Sequence, residues 1–431
     1  MTSNRVILAG TATIAVTFGL ARYGYGLFEP ELRREFGLSM AQMGLIGSAG
    51  YVGYLLALLL VGALVARVGP RPLVVAGGAA ATAGMALVAV ARGPVALTAG
   101  LVLAGTSSGW AWAPYSDAVD RLVPRSRRAR ALGVIDAGTA FGVTVAGPLA
   151  LLAYGTGWRP VWLLFAAVAL ATTVYSARVL PRGAHRPVAA RGAVGALGPR
   201  WFARRKALPL YATAAAYGFV GAGYWTYAVA AVEDGGAFGS GDAGRVTTAL
   251  FWTLIGVAGT AAALTGHAVG RFGLRRVHTA MFGGLAVAVA LLGLAPGAAP
   301  AVVASAALYG PLAVSALPAV WSYRVFPEAP ATGFSATLAF LALGTIAAPA
   351  VLGALADARG LRAAFLATAL VALVATAARP EREPGRTAGR TDGVAVRTNR
   401  ALGRTDRAVR RADRASAPTD TSPSLRASRT R

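Results

Sequence analysis

The sequence of 431 residues contains no cysteine and a single lysine, Lys206. The absence of cysteine excludes disulfides, thiolate metal sites and a cysteine nucleophile. The only histidines, His185, His267 and His278, are too few and too scattered for a histidine-built metal site. Lys206 lies in FARRKAL, without the preceding glycine and the following hydroxyl of a phosphate-binding loop. We therefore expect no metal, no cofactor and no nucleotide-driven pump.

Charged residues are also scarce, at 14% of the chain, whereas soluble domains carry about a quarter. Hydrophobic residues make up 56% of the chain, and they form runs of roughly twenty residues, the length that crosses a bilayer as a helix. This pattern predicts an all-α polytopic membrane protein embedded in the lipid bilayer. The net charge of +25 would suggest nucleic acid for a soluble protein, but the cations lie between the apolar runs and in the C-terminal segment. We expect no nucleic-acid partner.

Twelve transmembrane helices are predicted from the apolar runs and the charges, glycines and prolines that bound them. The predicted spans are residues 6–28, 40–66, 72–92, 95–121, 129–153, 160–180, 207–231, 244–269, 277–295, 300–325, 331–355 and 361–378. They give an N-terminal six-helix half at 1–180, a basic loop at 181–206, a C-terminal six-helix half at 207–378 and an Arg-rich tail at 379–431. The tail is polar and without hydrophobic periodicity, so it is predicted to be disordered.

Arginine is concentrated in alternate loops. The loops after spans 2, 4, 6 and 8 are rich in arginine, whereas the loops between them are near neutral or acidic, as in EDGGAFGSGDAG. Loops rich in lysine and arginine stay on the cytoplasmic side of a membrane. We therefore expect a multi-pass protein of the cell (inner) membrane, with both termini and the 181–206 loop in the cytoplasm.

The two halves repeat one another at an offset close to 200 residues. GALVARVGPRP after span 2 matches GHAVGRFGLRR after span 8 at an offset of 204. The matching hairpin residues are Gly62, Arg67, Gly69 and Arg71 in the first half and Gly266, Arg271, Gly273 and Arg275 in the second. Further matches, at offsets of 199 to 204, are Pro114 with Pro318, GWR at 157–159 with GLR at 360–362, and Gly19 and Tyr25 with Gly218 and Tyr224. The repeat indicates two pseudo-symmetric six-helix halves that arose by duplication.

With the repeated hairpin, the long basic loop and twelve spans, the chain resembles the major facilitator superfamily over roughly residues 5–378. The resemblance implies a transporter in which spans 1, 4, 7 and 10 line the cavity and the hairpins control the conformation. One departure is that the acidic residue usual before the hairpin arginine is replaced by Ala66 and Gly270. The RYGYG stretch and the proline in span 4 further resemble an uncharacterised bacterial branch related to cyanate and drug exporters.

Arg22 is the first candidate for a functional residue because it lies inside the apolar span 1. A charge within the membrane costs at least ~2.5–3.5 kcal/mol and therefore marks function by default. The alternative is that its long side chain reaches outward to the interface past Tyr25. On the functional interpretation Arg22 faces a watery cavity, where it attracts an anion or anchors a gate.

Aromatic residues near the middle of the spans form the rest of the predicted substrate cavity. They can stack against an amphipathic solute and donate hydrogen bonds to it. The predicted cavity residues are Arg22, Tyr25, Tyr51, Tyr54, Trp110, Tyr217 and Tyr309. These residues favour a small anionic or aromatic substrate.

Asp136, in span 5, is the candidate proton carrier, since a buried carboxyl can bind and release a proton. The alternative is that it pairs with an arginine of the 125–130 loop. Proton coupling is also favoured by GVTVAGP at 142–148, which resembles a proline-glycine stretch of proton-coupled exporters. The Gly-Gly that usually follows this stretch is replaced by Leu149 and Ala150, and the span-4 arginine typical of these exporters is Leu101 here.

These observations predict a secondary active transporter that moves a small organic solute by alternating access, coupled to protons. The resemblance to exporters implies efflux, while the residues themselves leave import and export both open. An enzyme is not expected, because the spans hold no paired carboxylates and no Ser-His-Asp set. The alternatives that stay open are a non-transporting membrane sensor and a facilitator without ion coupling. We expect a monomer.

Overall fold

The computed structural model describes residues 2–152, 157–183, 199–237, 239, 242–313 and 315–381. Every regular element in this part of the chain is helical, which confirms the predicted all-α class. The chain divides into two units, Met1–Pro380 and Glu381–Arg431, and the helices described below belong to the first. Residues 184–198 of the predicted basic loop and 382–431 of the predicted tail lie outside the described residues.

The helices up to the predicted basic loop follow spans 1 to 6. They are α1 (Thr2–Ile14), α2 (Gly24–Phe36), α3 (Met40–Val68), α4 (Pro70–Val90), α5 (Pro94–Thr106), α6 (Trp112–Leu122), α7 (Arg125–Asp136), α8 (Gly138–Leu152) and α9 (Trp158–Val179). A π-helical segment, Ala15–Arg22, joins α1 to α2, and a 3-10 turn, Ser107–Trp110, joins α5 to α6. Span 1 is thus the path from α1 to α2, span 4 the path from α5 to α6, and span 5 the path from α7 to α8.

The later helices follow spans 7 to 12. They are the short α10 (Pro199–Phe202), α11 (Ala207–Gly235), α12 (Asp242–Gly259), α13 (Thr265–Phe272), α14 (Leu274–Leu294), α15 (Ala299–Ala313), α16 (Leu317–Val325) and α17 (Pro330–Ala375). A 3-10 turn, Thr260–Leu264, joins α12 to α13. Prolines lie at the two ends of the break between α15 and α16, because Pro311 is in the last turn of α15 and Pro318 in the first turn of α16.

Nine helical paths among the described residues are long and apolar enough to cross a membrane. One of them, Thr332–Ala375, is kinked at Gly360, where φ is 80°, so it accounts for both span 11 and span 12. The path from α5 to α6 and the helix α11 correspond to spans 4 and 7. The described helices are therefore consistent with twelve spans.

The internal repeat is visible in the backbone turns. Gly69 has φ 82° and Gly273 has φ 81°, and each donates its N–H at 3.0 Å to a carbonyl four residues earlier, that of Val65 or Val269. Such φ values are readily adopted only by glycine. Two further pairs agree in the same way, Gly157 with Gly360 (83° and 80°) and Gly37 with Gly236 (61° and 62°). The turns confirm the two pseudo-symmetric halves.

The two halves pack along α8 and α12 and also meet at one end of the bundle, which we call the Met40 end. Glycine permits a close approach there, since a Cβ on Gly44 would overlap the Pro349 carbonyl oxygen of α17. The carboxylate of Asp357 in α17 accepts hydrogen bonds at 2.9 Å from the backbone N–H groups of Met40 and Ala41. Asp357 therefore caps the N-terminus of a helix that belongs to the other half.

The opposite end, which we call the Arg67 end, carries the repeated hairpins. The side chains of Arg67 and Arg271 are exposed there. At the edge of the predicted basic loop, Arg204 donates to Glu328 at 3.0 Å. A hydrogen bond from its own backbone, together with the one from Arg204, lowers the pKa of the Glu328 carboxyl.

Candidate functional site

Arg22 is the last residue of the π-helical segment Ala15–Arg22. The N–H of Tyr23 donates to the carbonyl of Phe18, five residues earlier, at 3.0 Å, which is the π pattern. Glycine at position 19 lets this wide segment lie against α8, because a Cβ there would be 2.5 Å from the Cα of Gly142. The segment thus has a close packing partner on one side and holds Arg22 at its C-terminal end. Segments of this type are frequent at functional sites.

The Arg22 guanidinium is surrounded by aromatic rings, which we call the aromatic cage. The distances from its central carbon to the ring centroids are 4.1 Å for Tyr54, 4.7 Å for Tyr51, 5.4 Å for Phe18 and 5.6 Å for Tyr23. Each ring face attracts the cation by about 0.5–2 kcal/mol, more where water is excluded. The cage therefore stabilises a charge in an apolar span without neutralising it.

One donor of the guanidinium is left free by the cage. The Nε atom of Arg22 is buried and has no hydrogen-bond partner. A buried donor without a partner costs about 1–3 kcal/mol, more for a charged group. The side chain as a whole is half-buried. Arg22 has the unused hydrogen-bonding capacity that an anion would satisfy.

A cavity of about 30 Å³ lies beside Arg22. A single water needs about 10–15 Å³, so the cavity has room for two or three. Its lining residues are Ala21, Arg22, Tyr25, Ile46, Gly47, Gly50, Tyr51, Leu101 and Gly105. They come from spans 1, 2 and 4, and three of them are glycines that leave the space open.

Tyr25 closes the cavity toward the Met40 end. Its hydroxyl donates to the carbonyl of Met43 at 2.5 Å, and its ring lies against Gly47 in α3. The ring is therefore held in place by a hydrogen bond to α3. Of the predicted cavity residues, the structure brings Arg22, Tyr25, Tyr51 and Tyr54 together.

The other predicted cavity residues lie elsewhere. Trp110 is the last residue of the 3-10 turn and packs beside Gly77. Tyr217 bridges the break between α15 and α16, since its hydroxyl donates to the Leu312 carbonyl at 2.8 Å and accepts from the Ser315 N–H at 3.0 Å. Tyr309 is fully buried and stacks on Tyr224 at 3.6 Å between ring centroids. These three residues occupy packing positions that differ from that of Arg22.

Asp136 is half-buried at the last turn of α7. The nearby arginines that form ion pairs use other carboxylates, since Arg121 contacts Asp117 at 2.6 Å and Arg128 contacts Asp120 at 3.2 Å. Its role as proton carrier stays a prediction. Among the described residues, no group of three or more His, Asp or Glu side chains could hold a metal ion.

Tyr23 is a member of the cage that the sequence did not single out. In an α-helix, consecutive residues point about 100° apart, so Arg22 and Tyr23 would face different directions. The wider turn of the π segment allows the Tyr23 ring to approach the guanidinium while it also stacks on Trp225 at 4.3 Å. Two tyrosines, Tyr23 and Tyr25, within one turn of an intramembrane arginine are the signal that could have revealed it.

Comparison with known proteins places the chain among transport proteins. The model of the family described as "Uncharacterised MFS-type transporter YbfB" matches residues 14–379. Human monocarboxylate transporter 11 is 34% identical over 226 residues, which cover 51% of this chain and 46% of the relative. The mouse protein of the same name is 33% identical over 226 residues, covering 51% of this chain and 49% of the relative. The chain thus spans about half the length of the curated relatives it matches.

Solved structures show the same fold. A bacterial homolog of the human lysosomal transporter Spinster, in an inward-facing and unoccupied conformation, aligns with a TM-score of 0.66 at 17% identity, over 89% of this chain and 99% of that one. The nucleoside transporter NupG aligns with a TM-score of 0.72 at 12% identity, over 88% of this chain and 98% of that one. At these identities the likeness concerns the fold alone.

Proposed function

The chain belongs to the family of MFS-type transporters whose model matches residues 14–379, and we propose that it is a secondary active transporter of a small organic anion. Membership of this family also means that the protein is a multi-pass membrane transporter and not an enzyme. Arg22 carries this proposal. It is an intramembrane cation with a buried, unpartnered Nε beside a cavity. A carboxylate bound there would satisfy the free donor and stack its apolar part on the aromatic cage.

The substrate class that we propose is a small monocarboxylate, aromatic or aliphatic. A single cation suits a single carboxylate, and the attraction is stronger in a low effective dielectric than in water. The name of the human relative, a monocarboxylate transporter, supports the same class, although the similarity covers about half of each chain. Tyr25, Tyr51 and Tyr54 would contact the bound solute. Trp110, Tyr217 and Tyr309 stay predicted cavity residues, although they lie apart from Arg22 in this conformation.

Alternating access is the proposed mechanism, with the two halves moving about the central site. The arginine distribution predicts that the Arg67 end and both termini are cytoplasmic. On that orientation, in the cell (inner) membrane, the conformation seen here is closed toward the outside, because the halves are joined at the Met40 end. Arg67 and Arg271, exposed here, would each pair with groups of the other half across the Arg67 end in the opposite conformation.

Proton coupling, with Asp136 as the proton carrier, is a further part of the proposal. It is supported by the lack of any phosphate-binding loop for a nucleotide motor and by the half-buried position of Asp136. Four further points also stay predictions: the relationship to cyanate and drug exporters, the efflux direction, the monomeric state and the domain limits at residues 180, 206 and 378. A sensor and an uncoupled facilitator are the competing functions.

The test uses purified full-length protein in sealed liposomes, with radiolabelled benzoate as an aromatic monocarboxylate and lactate as an aliphatic one. We expect uptake that saturates, and at least a tenfold loss of affinity in Arg22→Ala, since a hydrogen bond to a charged group contributes about 1.5–3 kcal/mol. Arg22→Lys should lose less, because it keeps the charge but not the planar fork. Arg92→Ala, which removes an exposed arginine, is the control.

The outcomes separate the candidate functions. Accumulation that follows an imposed proton gradient supports coupling, whereas movement that ignores the gradient indicates a facilitator. Binding without movement would indicate a sensor. If Arg22→Ala binds and transports benzoate like the parent, Arg22 does not hold the anion and the substrate class is wrong.

A further inference from the structure

A second ionisable group in span 1 is buried more deeply than Arg22. Glu29, in α2, lies one helical turn beyond Tyr25, and its side chain is 0% exposed. Neither of its carboxylate oxygens has a hydrogen-bond partner. The nearest cation is Arg33, whose Nε atom is 3.7 Å from Oε1, too far for a hydrogen bond. The carboxyl is enclosed without the partners that an ionised group needs.

The charged groups around Glu29 come from its own helix and from α11. Arg33 and Arg34 follow it in α2, and Glu233 and Asp234 lie at the end of α11, where Glu233 already pairs with Arg34 at 2.8 Å. Among uncharged titratable groups, Tyr25 and Tyr227 face it. The surrounding charges are therefore balanced, with two cations and two anions.

Among the described side chains, the other helices against α2 supply no charge that compensates Glu29. The helix α9 packs on α2 through Trp158 and Phe36, and its Arg159 pairs with Glu35 instead. The helix α8 contains no ionisable residue, and the only charged residue of α3 is Arg67, at its far end. The helix α12 begins with Asp242 and contains Arg245, whose side chains lie outside the described residues. An ionised carboxylate that is buried without hydrogen bonds is strongly disfavoured, so such a group is neutral or becomes hydrated.

The burial of Glu29 depends on the closure of the Met40 end. The hydroxyl of Tyr227, in α11, donates to the Pro349 carbonyl of α17 at 2.7 Å and lies 3.1 Å from the Met40 carbonyl of α3. The Arg34–Glu233 pair and the cap by Asp357 join the same halves. Separating the halves at this end would break these contacts and admit water to Glu29.

We propose that Glu29 is a proton-binding site that controls the Met40 end, so that a protonated Glu29 permits closure and an ionised Glu29 favours opening. Closure transfers one proton from water to a carboxylate oxygen, giving a neutral carboxylic acid, and opening returns the proton to water. The inference rests on the alternating access proposed above. It does not depend on the substrate or on Arg22.

The test measures the separation of the two halves as a function of pH. Because the chain has no cysteine, nitroxide labels can be attached through Arg92→Cys and Arg359→Cys without background. Both positions are exposed at the Met40 end, one in each half: Arg92 lies between α4 and α5, and Arg359 precedes the kink of α17 at Gly360. Double electron–electron resonance on the full chain in lipid nanodiscs, from about pH 5 to about pH 9, reports the closed and open populations without any substrate.

We expect the short-distance population to fall as the pH rises, with the ratio of closed to open changing by up to about tenfold per pH unit for a single proton. Glu29→Gln, which cannot ionise, should stay closed throughout the range. Arg33→Gln removes the nearest cation, so ionisation becomes harder and the transition should move to higher pH. Glu35→Gln is the matched control, because this exposed carboxylate of the same helix pairs with Arg159 inside its own half.

Several outcomes would overturn the proposal. Distances in the parent that do not change with pH would do so, as would a Glu29→Gln protein that titrates like the parent. If Glu29→Gln is poorly folded, a transition in Arg33→Gln at the same or a lower pH than in the parent would be the contrary result. Failure to transport benzoate would disprove the substrate class and leave this measurement unaffected.

Discussion

In the first half of the chain Arg22 and Gly105 both border a cavity, whereas Gly221 and Tyr309 are in contact at the equivalent place in the second half. The equivalence follows from the repeat, since Arg22 and Gly221 differ by 199 positions and Gly105 and Tyr309 by 204. The Tyr309 hydroxyl donates to the Gly221 carbonyl at 3.0 Å, and its ring stacks on Tyr224. A side chain thus fills the space that glycine leaves open in the first half.

The comparison shows that the two halves share the conformation of their backbone turns but differ in the side chains of their interior. The turn glycines agree in φ between the halves, so the scaffold is shared. The residues that match Gly50 and Tyr54 at an offset of 204 are Leu254 and Ala258, which provide neither the space nor the aromatic ring. Substrate binding of the proposed kind would therefore belong to the first half, with the second half as a packed counterpart.

Removing the Tyr309 side chain, which fills the space in the second half, should have the largest effect. Tyr309→Ala removes a fully buried, stacked ring and leaves a void, so we expect a loss of about 3–5 kcal/mol of stability. Thermal unfolding in detergent measures this loss. Tyr309→Phe keeps the ring and removes only the hydrogen bond to Gly221, for an expected loss of about 1 kcal/mol. Equal melting temperatures for the two variants would show that the ring does not support the second half.

Placing a larger side chain in the cavity of the first half should have the second-largest effect. In Gly50→Leu the new Cβ would meet its nearest atom, the Leu101 carbonyl oxygen, at an ordinary 3.8 Å, so the side chain can enter the cavity. We expect at least a tenfold loss of benzoate affinity, which is about 1.4 kcal/mol, with little change in stability. Gly133→Leu, at an exposed position with open space, is the control. Unchanged affinity in Gly50→Leu would place the substrate elsewhere.

The smallest change concerns a single ring of the aromatic cage. Tyr54 has its ring centroid 4.1 Å from the Arg22 guanidinium, and the equivalent residue in the second half is Ala258. Tyr54→Leu should weaken benzoate binding by about 0.5–2 kcal/mol, because the cation loses its closest ring. Tyr54→Phe should behave like the parent if the ring face is what matters. A larger loss in Tyr54→Phe than in Tyr54→Leu would assign the effect to the hydroxyl.

The fold could be predicted from the sequence because the length of the apolar runs, the distribution of charge and the internal repeat can all be read directly along the chain. The hairpin match of Gly69 with Gly273 predicted a shared turn, and both glycines have the same left-handed φ. The predicted spans agree closely with the helices, for example 40–66 with Met40–Val68, except that span 1 was predicted to end at residue 28 and α2 continues to Phe36. The break predicted between spans 11 and 12 corresponds to the kink at Gly360.

The site was only partly predictable, because burial and cross-half contacts depend on packing between distant segments. Four of the predicted cavity residues, Arg22, Tyr25, Tyr51 and Tyr54, lie next to one another in the structure, and their role in substrate binding stays a prediction. Tyr309 was assigned to the cavity by its position near mid-span, but its surroundings are set by Tyr224 and Gly221, about 85 residues away in sequence. The contact between Asp357 and the start of α3 joins residues more than 300 positions apart, and no sequence pattern revealed it.

The π-helical segment Ala15–Arg22 has an evolutionary consequence. Its counterpart in the second half lies within α11, an uninterrupted α-helix from Ala207 to Gly235. A wide turn accommodates a residue that an α-helix of the same length could not, and the gain or loss of one residue turns all later side chains by about 100°. A single codon inserted or deleted here would move Arg22 onto or off the cavity wall. One copy of a duplicated unit could thus acquire a charged binding residue in one mutational step, while the other copy kept its original register.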